Sequence, residues 1–216
     1  MGKINILLTE ANGNLANSKE MIVDAIREAE EFVFPLFKID WDIDIVVSNR
    51  LYNIFIPEDG VGGRTHASDF IEFGIDEEKA TKDLISEMTA HELCHAARWG
   101  KNSEWIECLF DGLIFEGLAT YFEYEYIKDR EEKGYFIKNI IERRDEENEM
   151  ILSKLRGQLD LNNHNYQKVF FTGDDELPRW SGYSLGFYLV KKYLEKTGKK
   201  IEDVFADKYD EFRVVL

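Results

Sequence analysis

His91, Glu92 and His95 form the pattern His-Glu-x-x-His inside a stretch with helical spacing. Two histidines four residues apart lie one turn apart on the same helix face. Both imidazoles can therefore reach a single ion at the ~2.0–2.1 Å that zinc prefers. Glu92 projects in an adjacent direction, which suits it to take a proton from an attacking water rather than to bind the ion. The competing reading is an ordinary pair of helix histidines. Against it stand the helical flanks, a further acidic residue at a useful distance, and a chain that has only 4 His.

A hydrolytic zinc site commonly has three protein ligands and one open position. Glu116, in Phe115-Glu116-Gly117-Leu118-Ala119-Thr120, is the choice for the third. The segment between His95 and Glu116 is long enough to finish one helix, turn near Gly100 and bring a second helix back antiparallel. Gly117 and Ala119 are small, so the two helices can approach closely. A carboxylate on an otherwise apolar face also needs compensation, and a metal supplies it. Glu104, Glu107 and Asp111 are the rivals. No third histidine follows closely, since Ala96-Ala97-Arg98-Trp99 come next and the next His is His164. Thr120 and Glu123 share a face with Glu116 and, with Asp111, are candidates to hold a ligand histidine through its second nitrogen. His66 carries little weight as a ligand, because the set of three is already complete.

These residues need elements to carry them. Residues 3–8 read as a strand, and residues 18–34 as a helix with Ser18 as N-cap and Pro35 helping to end it. Residues 41–47 alternate as a half-buried strand. Residues 52–56 read as a further strand, 59–63 as a turn and 68–75 as another strand. Asp76 reads as the N-cap of the helix that carries His91 and His95, with Gly100 just past its end. Helices are expected over 103–127, 135–155, 181–196 and 201–212, and 157–178 is irregular. The acidic run 142–149 reads as a solvated face.

The fold class expected is α+β, as a single domain over 1–216. A small N-terminal α/β lobe with a mixed sheet (1–75) packs on a mainly helical part (76–216) that holds the metal site. Composition agrees: of 216 residues, 44% are hydrophobic and 13% aromatic, which is ample for a core. The net charge of −16 disfavours nucleic acid and anionic membrane surfaces as partners and keeps the protein in solution. No stretch is apolar for long enough to span a bilayer, and the first residues lack a signal-peptide pattern. Cys94 and Cys108 do not make a disulfide framework and read as buried small residues, so a cytoplasmic location is expected.

His91-Glu92-x-x-His95 followed by Glu116-Gly117-Leu118-Ala119 resembles a gluzincin-type zinc metallopeptidase. More narrowly, the chain resembles a bacterial family of predicted Zn-dependent proteases of unknown specificity (domain of unknown function 2268). Two further stretches carry the match, Gly62-Gly63-Arg64-Thr65 and residues 177–187, so that the resemblance spans about residues 60–210. It implies a zincin-like fold with an active-site cleft between the lobes. It also implies one Zn2+ per chain on His91, His95 and Glu116, and hydrolysis of a peptide or protein substrate with Glu92 as general base. Tyr183, after Gly182 in a Gly-aromatic segment, is the first candidate donor to the oxyanion, against a reading as a wall tyrosine; His164 is the second. Gly62 to His66 precede a strand that such enzymes use to pair with extended substrate, against a reading as a plain hairpin turn. The alternative function is a catalytically inactive or non-peptidase metal-binding protein on a zincin scaffold.

Overall fold

The computed structural model describes residues 2–102 and 105–216, with Leu51 by its backbone alone. The fold is α+β, helices with one four-stranded mixed sheet. The chain forms two compact units, residues 1–104 with 125–136 and residues 105–124 with 137–216.

The first unit is built from β1 (Ile4–Leu8), α1 (Lys19–Phe37), β2 (Ile43–Ser48), β3 (Val61–Ala67), β4 (Phe70–Ile75) and α2 (Lys82–Trp99). The sheet order is β1-β2-β4-β3. β1, β2 and β4 run parallel, and β3 is an antiparallel edge strand on β4. The alternation in β2 holds: Ile43, Ile45 and Val47 are buried and Asp44 is exposed. Ile45 sits in register with Ile6 on one side and Ile71 on the other. α1 buries Ile22, Ala25, Ile26, Ala29 and Val33, and packs against α2. Unlike α1, α2 is buried all round from Ile85 to Arg98, polar residues included.

Several boundaries differ from expectation, each for a local reason. Pro35 lies inside α1, near enough to its end that few backbone bonds are lost. The helix stops at Lys38, whose left-handed φ of 55° turns the following N–H, that of Ile39, back to the Phe34 carbonyl at 3.1 Å. Residues 52–56 form no strand. Leu51–Asn53 is a 3-10 turn, and Ile56 makes one isolated bridge to Val61. The turn at 59–63 is shorter than expected, because Gly62 and Gly63 belong to β3. Gly62 and Gly74 are register partners. A Cβ on Gly62 would meet the Asn53 carbonyl oxygen at 2.1 Å, and one on Gly74 the Asn53 carbonyl carbon at 2.4 Å. The paired glycines thus let the preceding turn lie flat on the sheet. Thr81 rather than Asp76 caps α2, accepting from the Leu84 N–H at 3.3 Å; Asp76 instead accepts from Glu78 in a turn. Gly100 does follow α2, but with an ordinary φ of −66°. Its missing side chain leaves room for the Trp41 indole, which a Cβ would meet at 2.2 Å.

Chain order continues with α3 (Leu109–Ile127), α4 (Tyr135–Ile141), α5 (Asp145–Leu155), a π-helical turn (Gln167–Thr172), α6 (Ser181–Thr197), α7 (Ile201–Val204) and a 3-10 stretch (Tyr209–Val215). The expected start of α3 at Ser103 lies outside the described residues. The helix begins at Leu109, where the Leu109 and Phe110 N–H groups bond to the carbonyls of Leu161 and Leu159. The expected single helix over 135–155 is two. Arg144 is extended, and the Glu147 carboxylate accepts its N–H at 3.1 Å to start α5. Part of the acidic run therefore serves as a cap. Asp59 caps α4 from far along the chain, accepting from the N–H groups of Tyr135 at 2.7 Å and Phe136 at 3.0 Å. The irregular segment 157–178 contains the π-helical turn, and the helix expected over 201–212 shortens to α7. In the second unit α6 is the hub, packing against α5, the π-helical turn and the terminal 3-10 stretch.

Candidate metal centre

α2 places its two histidines as the i, i+4 spacing requires. Their Nε2 atoms stand 3.1 Å apart and both rings are buried. Two nitrogens ~2.0–2.1 Å from one tetrahedral ion would stand about 3.3 Å apart, so this convergence fits a shared cation. Glu116 joins them: ligand atoms of His91, His95 and Glu116 all lie within 4.8 Å of one another. Their exposures of 5%, 4% and 6% make the cluster a desolvated one. A buried carboxylate beside two imidazoles is a donor set that suits zinc and is otherwise costly to bury.

The rivals among the described residues are engaged elsewhere. Asp111 accepts from the Glu107 N–H at 2.9 Å, and Glu107 is exposed and accepts from the Tyr209 hydroxyl at 3.0 Å. Glu104 lies outside the described residues. His66 sits on the exposed side of β3, 3.2 Å from Glu72 and stacked on Phe70. Thr120 donates to the Glu116 carbonyl at 2.8 Å, a bond within its own helix. Glu123 is buried further along α3.

Glu92 has a cradle of its own on β3. The Thr65 hydroxyl lies 2.7 Å from Glu92 Oε2 and 3.0 Å from the Glu92 carbonyl oxygen. Gly63, on the same face of the strand, contributes absence: a Cβ there would lie 2.5–2.8 Å from the Glu92 side chain. Alternation along β3 turns Gly63 and Thr65 towards Glu92 and Arg64 and His66 the other way. Sequence reading singled out the Gly62 to His66 segment without this role, because nothing in its spacing links Thr65 to a residue 27 positions on.

Gly117 does allow a close helix approach, but α6 uses it. A Cβ on Gly117 would lie 2.3 Å from the Gly186 carbonyl carbon, and one on Gly186 would lie 2.2 Å from the Leu113 carbonyl oxygen. Glu116 therefore sits on a turn of α3 locked to α6. Its carboxylate accepts a hydrogen bond from the Tyr166 hydroxyl at 2.9 Å, a partner with no signal in the sequence. Tyr183 lies in the first turn of α6, with its ring set edge-on to Phe170 and Phe171. His164 is half-buried, with Nδ1 3.3 Å from the Leu161 carbonyl. Cys94, at an unspecified position of the motif, is fully buried, and desolvation pushes its thiol up to about 12. It therefore stays protonated at neutral pH.

Comparison with known proteins places the chain in a family. Searches of curated proteins and of solved structures found no match to the chain. A family model described as "predicted Zn-dependent protease" matches residues 21–213. With a buried His-His-Glu cluster inside the matched stretch, the chain belongs to this family of predicted Zn-dependent proteases (domain of unknown function 2268).

Proposed function

We propose that this protein is a zinc-dependent peptidase with a zincin-like site, which hydrolyses peptide bonds of a peptide or protein substrate. The observation that carries the reading is the buried cluster of His91, His95 and Glu116 beside a carboxylate held in its own cradle. His91, His95 and Glu116 would hold one Zn2+, which when bound would supply Lewis-acid polarisation of the scissile carbonyl and a more acidic water. Glu92 accepts the proton of the attacking water and passes it to the leaving amine. Thr65 fixes one Glu92 oxygen, and the carboxylate keeps the other for that transfer. Tyr183 donates to the oxyanion as it develops. β3, as an edge strand, pairs its backbone with an extended substrate. No nucleic acid or membrane partner enters the scheme, and no described helix is long and apolar enough to cross a membrane. Two buried free cysteines suit a reducing cytoplasm.

The test is metal content of the purified protein by plasma mass spectrometry, with turnover of a peptide library. Wild type should carry about one zinc per chain, and Glu116→Ala should lose it. Glu92→Gln should keep the zinc and lose turnover. Unchanged turnover in Glu92→Gln would sink the assignment of the base. No zinc in wild type, even after reconstitution, would sink the reading as a whole.

A further inference from the structure

Tyr166 is held at both ends. Its ring stacks on Phe170 with centroids 4.5 Å apart and planes at 27°, and its hydroxyl donates to Glu116 Oε1 at 2.9 Å. Phe170 is itself fixed, being fully buried. Its ring fills the space where a Cβ on Gly182 would lie, 2.4–2.9 Å away, and it reaches Gly112, one helical turn before Glu116 on α3. The π-helical turn that follows Tyr166 carries Phe170. Such turns are rare and concentrate at functional sites. Three elements of the second unit thus meet around the Phe170 ring on which Tyr166 stacks, and the Tyr166 hydroxyl meets the third residue of the cluster. A surface tyrosine kept only for packing needs none of this.

We propose that Tyr166 is a positioning residue for the third zinc ligand. Its hydroxyl binds one carboxylate oxygen of Glu116 and fixes the rotamer, so that the carboxylate presents a single oxygen to the histidine pair. The inference rests on the zinc reading above. Partners of this kind outside the ligand set commonly change metal affinity by about 10–100-fold.

The experiment titrates Zn2+ into metal-free wild type and Tyr166→Phe against a chromophoric chelator. The thermal midpoint of each metal-free protein is read alongside. Tyr166→Phe is mild, since the ring keeps its stack on Phe170. We expect zinc affinity to fall about tenfold with the metal-free midpoint unchanged. Substitution with Co2+ gives a second readout: the visible absorption of the variant should change in intensity as the carboxylate loses its fixed, one-oxygen mode. Affinity within about twofold of wild type, with an unchanged Co2+ spectrum, would overturn the proposal. A lowered midpoint in the metal-free variant would overturn it too, in favour of structural support. Wild type that takes up no zinc marks instead a failure of the underlying reading, and the inference falls with it.

Discussion

At the scale of single residues, absence matters as much as presence. Gly63 and Thr65 share one face of β3, and both act on Glu92, one by leaving space and the other by a hydrogen bond. Gly63→Ala would put a methyl group 2.5 Å from Glu92 Cγ, so the carboxylate must swing away. Zinc content should stay at the wild-type level while kcat falls at least about tenfold, as a misplaced general base loses its contribution. Thr65→Val should act in the same direction, and Thr65→Ser should restore most of the rate. Wild-type kcat in both Gly63→Ala and Thr65→Val would show that Glu92 needs no cradle. The cluster of His91, His95 and Glu116 was legible in the sequence: helix geometry dictates the spacing of the two histidines, and Glu116 is a carboxylate in an apolar stretch of the next helix. Thr65, Gly63 and Tyr166 were not. Their roles depend on a strand face and a tertiary contact, and neither leaves a local periodicity.

At the scale of elements, α6 holds α3 through backbone contact at Gly117 and Gly186. Gly186→Ala would drive a methyl group to 2.2 Å from the Leu113 carbonyl oxygen, which no rotamer change relieves. Denaturant unfolding should show a loss of at least about 1–3 kcal/mol, the usual cost of overpacking. A stability equal to wild type would mean that the two helices are free to part. β1, β2, β4, amphipathic α1 and the helices carrying His91 and Glu116 could be expected from the sequence pattern. The boundaries that moved did so for tertiary reasons. Thr81 replaced Asp76 as the cap of α2. Glu147 split one expected helix in two, and carbonyls from residues 159 and 161 set the start of α3. A cap donated by a distant segment has no signature in the helix it caps.

At the scale of the whole molecule, both cysteines are buried, and burial holds the Cys94 thiol protonated. Thiol chemistry should therefore report global unfolding. A disulfide reagent at neutral pH is expected to modify neither cysteine in the folded protein and both in denaturant. Rapid modification under native conditions would show a local opening of α2 or α3. The α+β class was readable from composition and pattern, since an alternating N-terminal third followed by amphipathic helices admits few other arrangements. The edge position of β3 was not, because sheet order depends on which strand the chain passes over, and the hairpin of β3 and β4 places β4 rather than β3 beside β2.

β3, β4 and α2 are also consecutive in the chain, so Thr65 and Glu92, 27 positions apart, belong to neighbouring elements. Loop-closure entropy rises only slowly with separation, so order of emergence from synthesis separates the two contacts more than closure cost does. The partner of Glu116 lies farther off, 50 residues along at Tyr166. During synthesis, the strand and helix that hold the base and the histidine pair emerge well before Tyr166. The cradle of Glu92 therefore has no need to wait for Glu116, and on the zinc reading proposed above the complete ligand set comes together late. On the zinc reading proposed above, a cell short of the metal is then expected to accumulate a largely folded precursor.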